Sequence, residues 1–259
     1  MELGFYGYLI LEVTNKNTFE RLGENLRKYP SFFTYFIFIN KISCRSIWMR
    51  KASWFGTLLF AGCLLILFPF GLGTEALQRN DVRIGSLWII NEFIAALIIG
   101  RMFSPEQESF ALDYILSSRM PRAALLVGKI SFTALQILSL QIPVTFFWII
   151  LYNVQTEILI ELLKTIVPIS LIFNLGTASL GALVSCLTAR SLAKEILQPM
   201  LFFPLQSGVL LAAVSLSMQI GDNVLLGAFS STAWWTVLSA YPILFTAMGF
   251  LLSNVLLQE

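Results

Sequence analysis

The chain has 259 residues, a net charge of +2 and no histidine; hydrophobic residues make up 57% and charged residues 12%, with a mean hydropathy of +0.78. That balance belongs in a bilayer and excludes a large aqueous catalytic or binding domain, since roughly six spans of about 20 residues use up most of the length. The absence of histidine removes the commonest metal ligand, the usual haem ligand and the usual general base near neutral pH, and Cys44, Cys63 and Cys186 form no CxxC pair, so neither a metal site nor a disulfide framework is indicated.

The start, MELGFYGYLILEV, carries Glu2 where a secretory signal would be basic, so no cleaved signal is expected. Residues 1–30 are read as a cytoplasmic extension holding a small accessory helix over 14–29, with Phe19, Leu22, Leu26 and Tyr29 at helical spacing. Residues 31–259 are read as the membrane domain. Within it, the aromatic run 31–40 and the basic stretch 41–51 around Trp48 suit a segment lying in the membrane interface, a buried apolar stretch being the alternative for 31–40.

Six transmembrane helices are predicted at about 53–73, 85–102, 123–152, 163–188, 196–218 and 231–257. All seventeen Lys and Arg residues except Arg79, Arg83 and Lys164 fall in the N-terminal region or in the loops after the second and fourth spans. The positive-inside rule therefore predicts both termini in the cytoplasm. Connections on the opposite side, about 74–84, 153–162 and 219–230, are too short for a folded domain. Proline falls in or near the spans at 69, 143, 168, 199, 204 and 242, where kinks or local breaks are expected.

Three intramembrane features carry weight. Glu92 lies in the middle of the second span, where an ionised carboxylate costs about 3 kcal/mol. It reads equally as a functional group or as a protonated, hydrogen-bonded structural one, with Gln136 and Gln141 of the third span as candidate neutral partners. Thr177, Gly181 and Ser185 form a line of small residues on the fourth span, beside Asn174, Ala178 and Ala182, and Pro242, Thr246, Gly249 and Ser253 form another on the sixth. Such lines let helix backbones approach closely, within the fold or between subunits.

The loop RMFSPEQESFALDYILSSRMPRAALLVGK, residues 101–129, is unusual for a connection between spans. On a helical wheel Glu106, Ser109, Asp113 and Ser117 share one strip, and Phe110, Leu112, Tyr114 and their neighbours fill the rest. An interfacial helix is one reading; the acidic strip favours docking into a cytoplasmic protein instead. Gly128-Lys129 does not complete a phosphate loop, because Ala123 stands where the first glycine belongs and Ile130 replaces the final Ser or Thr. Glu106, Glu108 and Asp113 lack a histidine partner and make no acid–base set, so no catalytic residue is expected.

The runs LFPFGLGTEALQ at 67–78, LWIINEFIAALIIGRMFSPEQESFALDYILSSRMPRAALLVGK at 87–129 and LQPMLFFPLQSGVLLAA at 197–213 resemble cytochrome c maturation protein B, also called haem exporter protein B. The resemblance covers approximately residues 40–255. It implies an all-α, six-span permease of the ABC-2 type in the bacterial inner membrane, itself non-catalytic. Its implied partners are a cytoplasmic ABC ATPase that binds and hydrolyses ATP, a haem-handling membrane subunit and a possible second copy of itself, with no nucleic acid. The implied activity is haem export, or ATP-driven release of a haem-loaded periplasmic chaperone, and no cofactor on this chain. Ser104 to Arg119 would be the coupling helix that meets the ATPase, with Glu106, Glu108, Phe110, Asp113, Tyr114 and Arg119 as contacts. On the residues alone, an exporter of lipid, drug or polysaccharide, a membrane-embedded enzyme centred on Glu92 and a passive assembly scaffold remain alternatives.

Overall fold

The computed structural model describes residues 40, 51–73, 79–103, 122–154, 156–188, 191, 193–218 and 224–256. Residues 1–39 and the segment 104–121 lie outside them, and with them the expected N-terminal helix and coupling helix. The described chain forms six long helices: α1 (Lys51–Leu72), α2 (Asn80–Ile99), α3 (Arg122–Leu151), α4 (Thr156–Thr188), α5 (Lys194–Met218) and α6 (Val224–Leu256). All six are long and apolar enough to cross a membrane.

Each helix follows an apolar run of the expected kind, and two ends show why it stops there. At the end of α1, Gly73 takes φ +83 and its N–H donates to Pro69 O at 3.1 Å, which closes an αL cap that glycine adopts without a Cβ penalty. After α3, Asn153 takes φ +46, while its N–H reaches Ile150 O and that of Val154 reaches Ile149 O. These two bonds are a Schellman motif with asparagine in the left-handed position.

Two boundaries differ from expectation by about two turns of helix. α4 begins at Thr156 and α6 at Val224, so the connections before them are shorter than their hydropathy suggests. A helix already propagating gains one backbone bond per added residue, so it continues past the point where the sequence turns polar. The prolines at 69, 143, 168, 199, 204 and 242 all lie inside helices that run on through them. The expected local breaks do not occur at these sites.

α4 is the centre of the bundle and packs against α2, α3, α5 and α6. Of its apolar window 72% is buried, and of that of α2 61%, against 17% for α1 and for α6. The outer helices turn Leu59, Phe70, Ile142, Ile243 and Leu251 outward, as lipid-facing surfaces require. Inside, Trp88 packs on Phe173 with ring centroids 5.0 Å apart, next to Ala212, Leu216 and Leu238. A second cluster joins Leu65, Ile90, Trp148 and Phe202, so α1, α2, α3 and α5 share one apolar contact. Lipid tails are as apolar as these side chains, so the helices are held by close packing and interhelical hydrogen bonds.

Candidate functional site

Many polar residues of the described helices are buried, and the bonds that several of them make between helices gather along α4. Two rungs join it to α5: Gln198 Nε2 donates to Ser185 Oγ at 3.1 Å, and Gln206 Nε2 donates to Thr177 Oγ1. The rungs are eight residues apart on both helices, as antiparallel helices of equal rise demand. On the other flank, Gln141 Nε2 of α3 donates to Ser170 Oγ at 2.9 Å, and Asn174 Nδ2 donates to Gln141 Oε1 at 2.7 Å. α2 joins through Trp88 Nε1, which donates to Ser217 Oγ of α5 at 2.9 Å.

Of the residues singled out in the sequence, Thr177, Gly181 and Ser185 all lie at helix contacts. Thr177 meets Gln206. Gly181 faces the Ile99 side chain, which a Cβ at that glycine would strike at 2.5 Å. Ser185 Oγ also donates to Ile99 O at 3.3 Å. Gly249 and Gly176 serve similar contacts, towards Leu126 and towards Tyr241 with Pro242.

Glu92 is 4% exposed, and both of its oxygens lack a hydrogen-bond partner. Gln141, one expected partner, spends its side-chain amide on Ser170 and Asn174; Gln136, the other, is half-buried on α3, where its backbone carbonyl accepts from the Ser139 hydroxyl. Gln206 of α5 is the amide beside Glu92, close by without completing a bond to it. Gln206 was not singled out in the sequence. Its signal is there, because Gln198, Phe202, Gln206 and Val209 repeat at helical spacing and all four are buried. A face carrying two glutamines, opposite a line of Thr and Ser on the preceding span, is the pattern of an interhelical ladder.

The α3–α4 link gives a direct test. Asn174→Leu removes the donor to Gln141 Oε1 and is expected to cost about 0.6 kcal/mol, the average for such bonds within a membrane, and no more than about 1.7 kcal/mol. Reversible unfolding in bicelles reads it, and the Gln141→Leu, Asn174→Leu double cycle isolates the pair. Additive losses would show that the two side chains do not interact.

A second polar cluster sits at the end of the bundle where α2 finishes and α3 begins. α2 ends in a tightened turn, with Arg101 N bonded to Ile98 O and Met102 N to Ile99 O. Three neighbours hold this turn. Lys129 of α3 is 4% exposed, donates from Nζ to Met102 O at 3.2 Å and lies over the Phe103 ring, 5.8 Å from its centroid. Arg101 Nη1 donates to Ser53 Oγ of α1 at 2.5 Å, and Ser185 of α4 reaches Ile99 O. A cation at a helix C-terminus meets the negative end of its dipole. Lys129, discounted as a phosphate-loop lysine, thus fastens Met102 and Phe103 at the end of α2 to α3. The expected coupling residues Glu106, Glu108, Phe110, Asp113, Tyr114 and Arg119 lie in that segment, outside the described residues.

Six apolar helices around an inward-facing polar spine define a multi-pass α-helical membrane protein. The chain matches the family model described as CcmB protein over residues 38–249 and belongs to that family, cytochrome c maturation protein B. Membership makes it a membrane component of a transporter that serves cytochrome c maturation. The match begins past the N-terminal extension and includes both polar clusters. No curated protein matches the chain.

Proposed function

We propose that this chain is the membrane permease subunit of an ABC-type complex for cytochrome c maturation, with the ABC-2 architecture and both termini in the cytoplasm of a bacterial inner membrane. ATP is bound and hydrolysed by a separate ATPase, and haem is held by another membrane subunit. The work done is haem export or release of a haem-loaded periplasmic chaperone. Supporting this reading is the family match, which spans 38–249 and so takes in the whole segment between α2 and α3. In it, Ser104 to Arg119 is the coupling helix, and the acidic strip of Glu106, Glu108 and Asp113 meets basic groups on the ATPase.

A strip of rim charges sets partner choice and association, and reversing it places like charges opposite one another at a cost of several kcal/mol. The Glu106→Lys, Asp113→Lys double variant is therefore expected to lose at least about tenfold in recovery of the ATPase during mild-detergent purification, with its own membrane insertion intact. Identification of the co-purified subunits by mass spectrometry is the readout. Wild-type recovery of the ATPase would remove this segment from the interface.

A further inference from the structure

α1 and α2 reach the edge of the apolar region at the same end of the bundle. The apolar span of α1 begins at Ala52 and that of α2 finishes at Ile99, so Ser53 and Arg101 both lie at the level where a leaflet turns from acyl chains to phosphates. An arginine at such an edge ordinarily extends its charged head into water. Arg101 turns across to the neighbouring helix instead, donating from Nη1 to Ser53 Oγ at 2.5 Å, and stays exposed. Serine is neutral, so this bond fixes the position of the charge without compensating it.

What the pair presents is donors. A guanidinium carries N–H groups on all three nitrogens, and only Nη1 is engaged; Nε and Nη2 have no partner among the described residues. The Ser53 hydroxyl accepts from Arg101, and its own proton is given to no acceptor there. The oxygens beside them are already bonded: Ser53 O accepts from Thr57 Oγ1 at 3.0 Å, and Ser139 Oγ accepts from Trp54 Nε1 at 3.3 Å. No described carboxylate answers the charge. Asp81 pairs with Arg79 at the far end of α2, Glu92 is buried inside the bundle, and Glu195, in the first turn of α5, forms no ion pair with Arg101.

A fixed cation with a free planar edge, next to a free hydroxyl, is complementary to a phosphate, whose oxygens accept from both edges of such a fork. The surface that continues from it is apolar. Gly56, Phe60, Cys63, Leu67 and Phe70 follow Ser53 at alternating spacings of three and four, so they form one stripe on α1, and all five are exposed. At the head of the stripe Gly56 leaves open space, with nothing within 4 Å of the point where a Cβ would stand. Headgroup donors at the top of an apolar track of bilayer length suit an amphiphile and not a free anion. We propose that Arg101 and Ser53 bind the phosphate of an anionic phospholipid in the leaflet at this end of the bundle, with an acyl chain lying along the stripe from Gly56 to Phe70.

The choice of an anionic lipid follows from the charge. A zwitterionic headgroup brings a cation of its own towards an uncompensated guanidinium, whereas a net negative headgroup does not, and one basic side chain near a leaflet surface is worth about a fivefold preference. Lipid bound here would join α1 to the last turn of α2, the turn that Lys129 and Ser185 hold from the other sides.

The lipid site is independent of the ATPase reading and is tested on the chain alone. The purified chain in mild detergent is mixed with equal amounts of phosphatidylglycerol and phosphatidylcholine of identical acyl chains, and native mass spectrometry reads the lipid retained. The wild type should keep the glycerol lipid about fivefold better. Arg101→Gln should bring the ratio close to one, while Arg83→Gln, at the opposite end of α2, should leave it unchanged. Gly56→Leu fills the open approach on an exposed face and should also lower the ratio. Equal retention of the two lipids by the wild type, or a wild-type ratio in R101Q, would overturn the headgroup site. A wild-type ratio in Gly56→Leu would take the acyl chain off the stripe, and displacement of the lipid by millimolar inorganic phosphate would make this a site for the free anion. Where circular dichroism shows R101Q unfolded, Gly56→Leu decides: a lowered ratio upholds the proposal and an unchanged one refutes it.

Discussion

Gly181→Leu is expected to be the most damaging single substitution in the described core, and Gly181→Ala should already cost about 1–3 kcal/mol, the usual range for overpacking. A Cβ at Gly181 falls 2.5 Å from Ile99 Cδ1, 2.6 Å from Cγ1 and 2.9 Å from Cγ2. Ile99 has little freedom to withdraw. It is β-branched and stiff about χ1, it is 1% exposed, and its own carbonyl accepts from Ser185 one turn along α4. The backbone of α2 is therefore held at the point where the new methyl would push. Gly249 provides the contrast, because its Cβ would come too close to one distal atom only, Leu126 Cδ2 at 2.7 Å, at the end of a side chain that can turn, with Leu183 at ordinary contact distance. Gly249→Ala should cost less than Gly181→Ala. The decisive comparison is a double variant: Ile99→Ala opens the space, so Gly181→Ala should be milder in that background than in the wild type, with a coupling energy of about 0.5–3 kcal/mol. Unfolding in bicelles or thermal melts in detergent would read all of these. If Gly181→Ala melted with the wild type, close packing of α2 on α4 would not depend on that glycine.

The same contact shows how far the sequence alone reaches. Six spans were legible because an apolar run of about 20 residues is the length that a bilayer core demands of a helix, and the line Thr177, Gly181, Ser185 was legible because small residues four apart mark one helix face. What each face meets was not. Thr177 and Ser185 find Gln206 and Gln198 on the next span, while Gly181 finds Ile99 two spans earlier in the chain. Periodicity assigns a side chain to a face of its own helix and is silent on which helix stands opposite. For that reason Gln141 was paired with Glu92, whereas its amide belongs to Ser170 and Asn174. Helix ends were partly legible: Gly73 marks a left-handed cap openly, but the same conformation at Asn153 is a tolerated exception that composition does not announce.

The two polar clusters have one geometric relation that bears on mechanism. The Gln206 rung and the Gln198 rung lie on the same two helices, and the Gln198 rung shares Ser185 with the end of α2. A displacement of α2 at its last turn therefore strains the α4–α5 ladder directly, without passing through lipid-facing side chains. Interhelical hydrogen bonds of this kind hold in discrete arrangements, so a push at that end favours a switch between them over a gradual bend.

Lys129→Met is the variant in which this relation should become visible. The substitution keeps the long unbranched stem and removes the ammonium that donates to Met102 O and lies over Phe103. Two effects on stability oppose each other. A hydrogen bond from a charged group contributes about 1.5–3 kcal/mol, but removing a buried charge also removes its desolvation cost, which often offsets the loss. Folding should accordingly change by less than about 2 kcal/mol. On the proposed function, activity should fall further than stability, because Met102 and Phe103 are no longer fastened to α3 and a push from the ATPase would be lost in local movement. Mutations along such a path alter coupling by about 0.5–2 kcal/mol, equivalent to roughly two- to thirty-fold. The expected result is a folded, membrane-inserted chain that still recovers the ATPase but matures c-type cytochromes roughly two- to thirty-fold less well. Lys129→Arg, which keeps a cation near the carbonyl end of α2, should retain more activity than Lys129→Met. Equal maturation by the methionine variant and the wild type would show that Lys129 serves packing alone, and that force enters the bundle by another route.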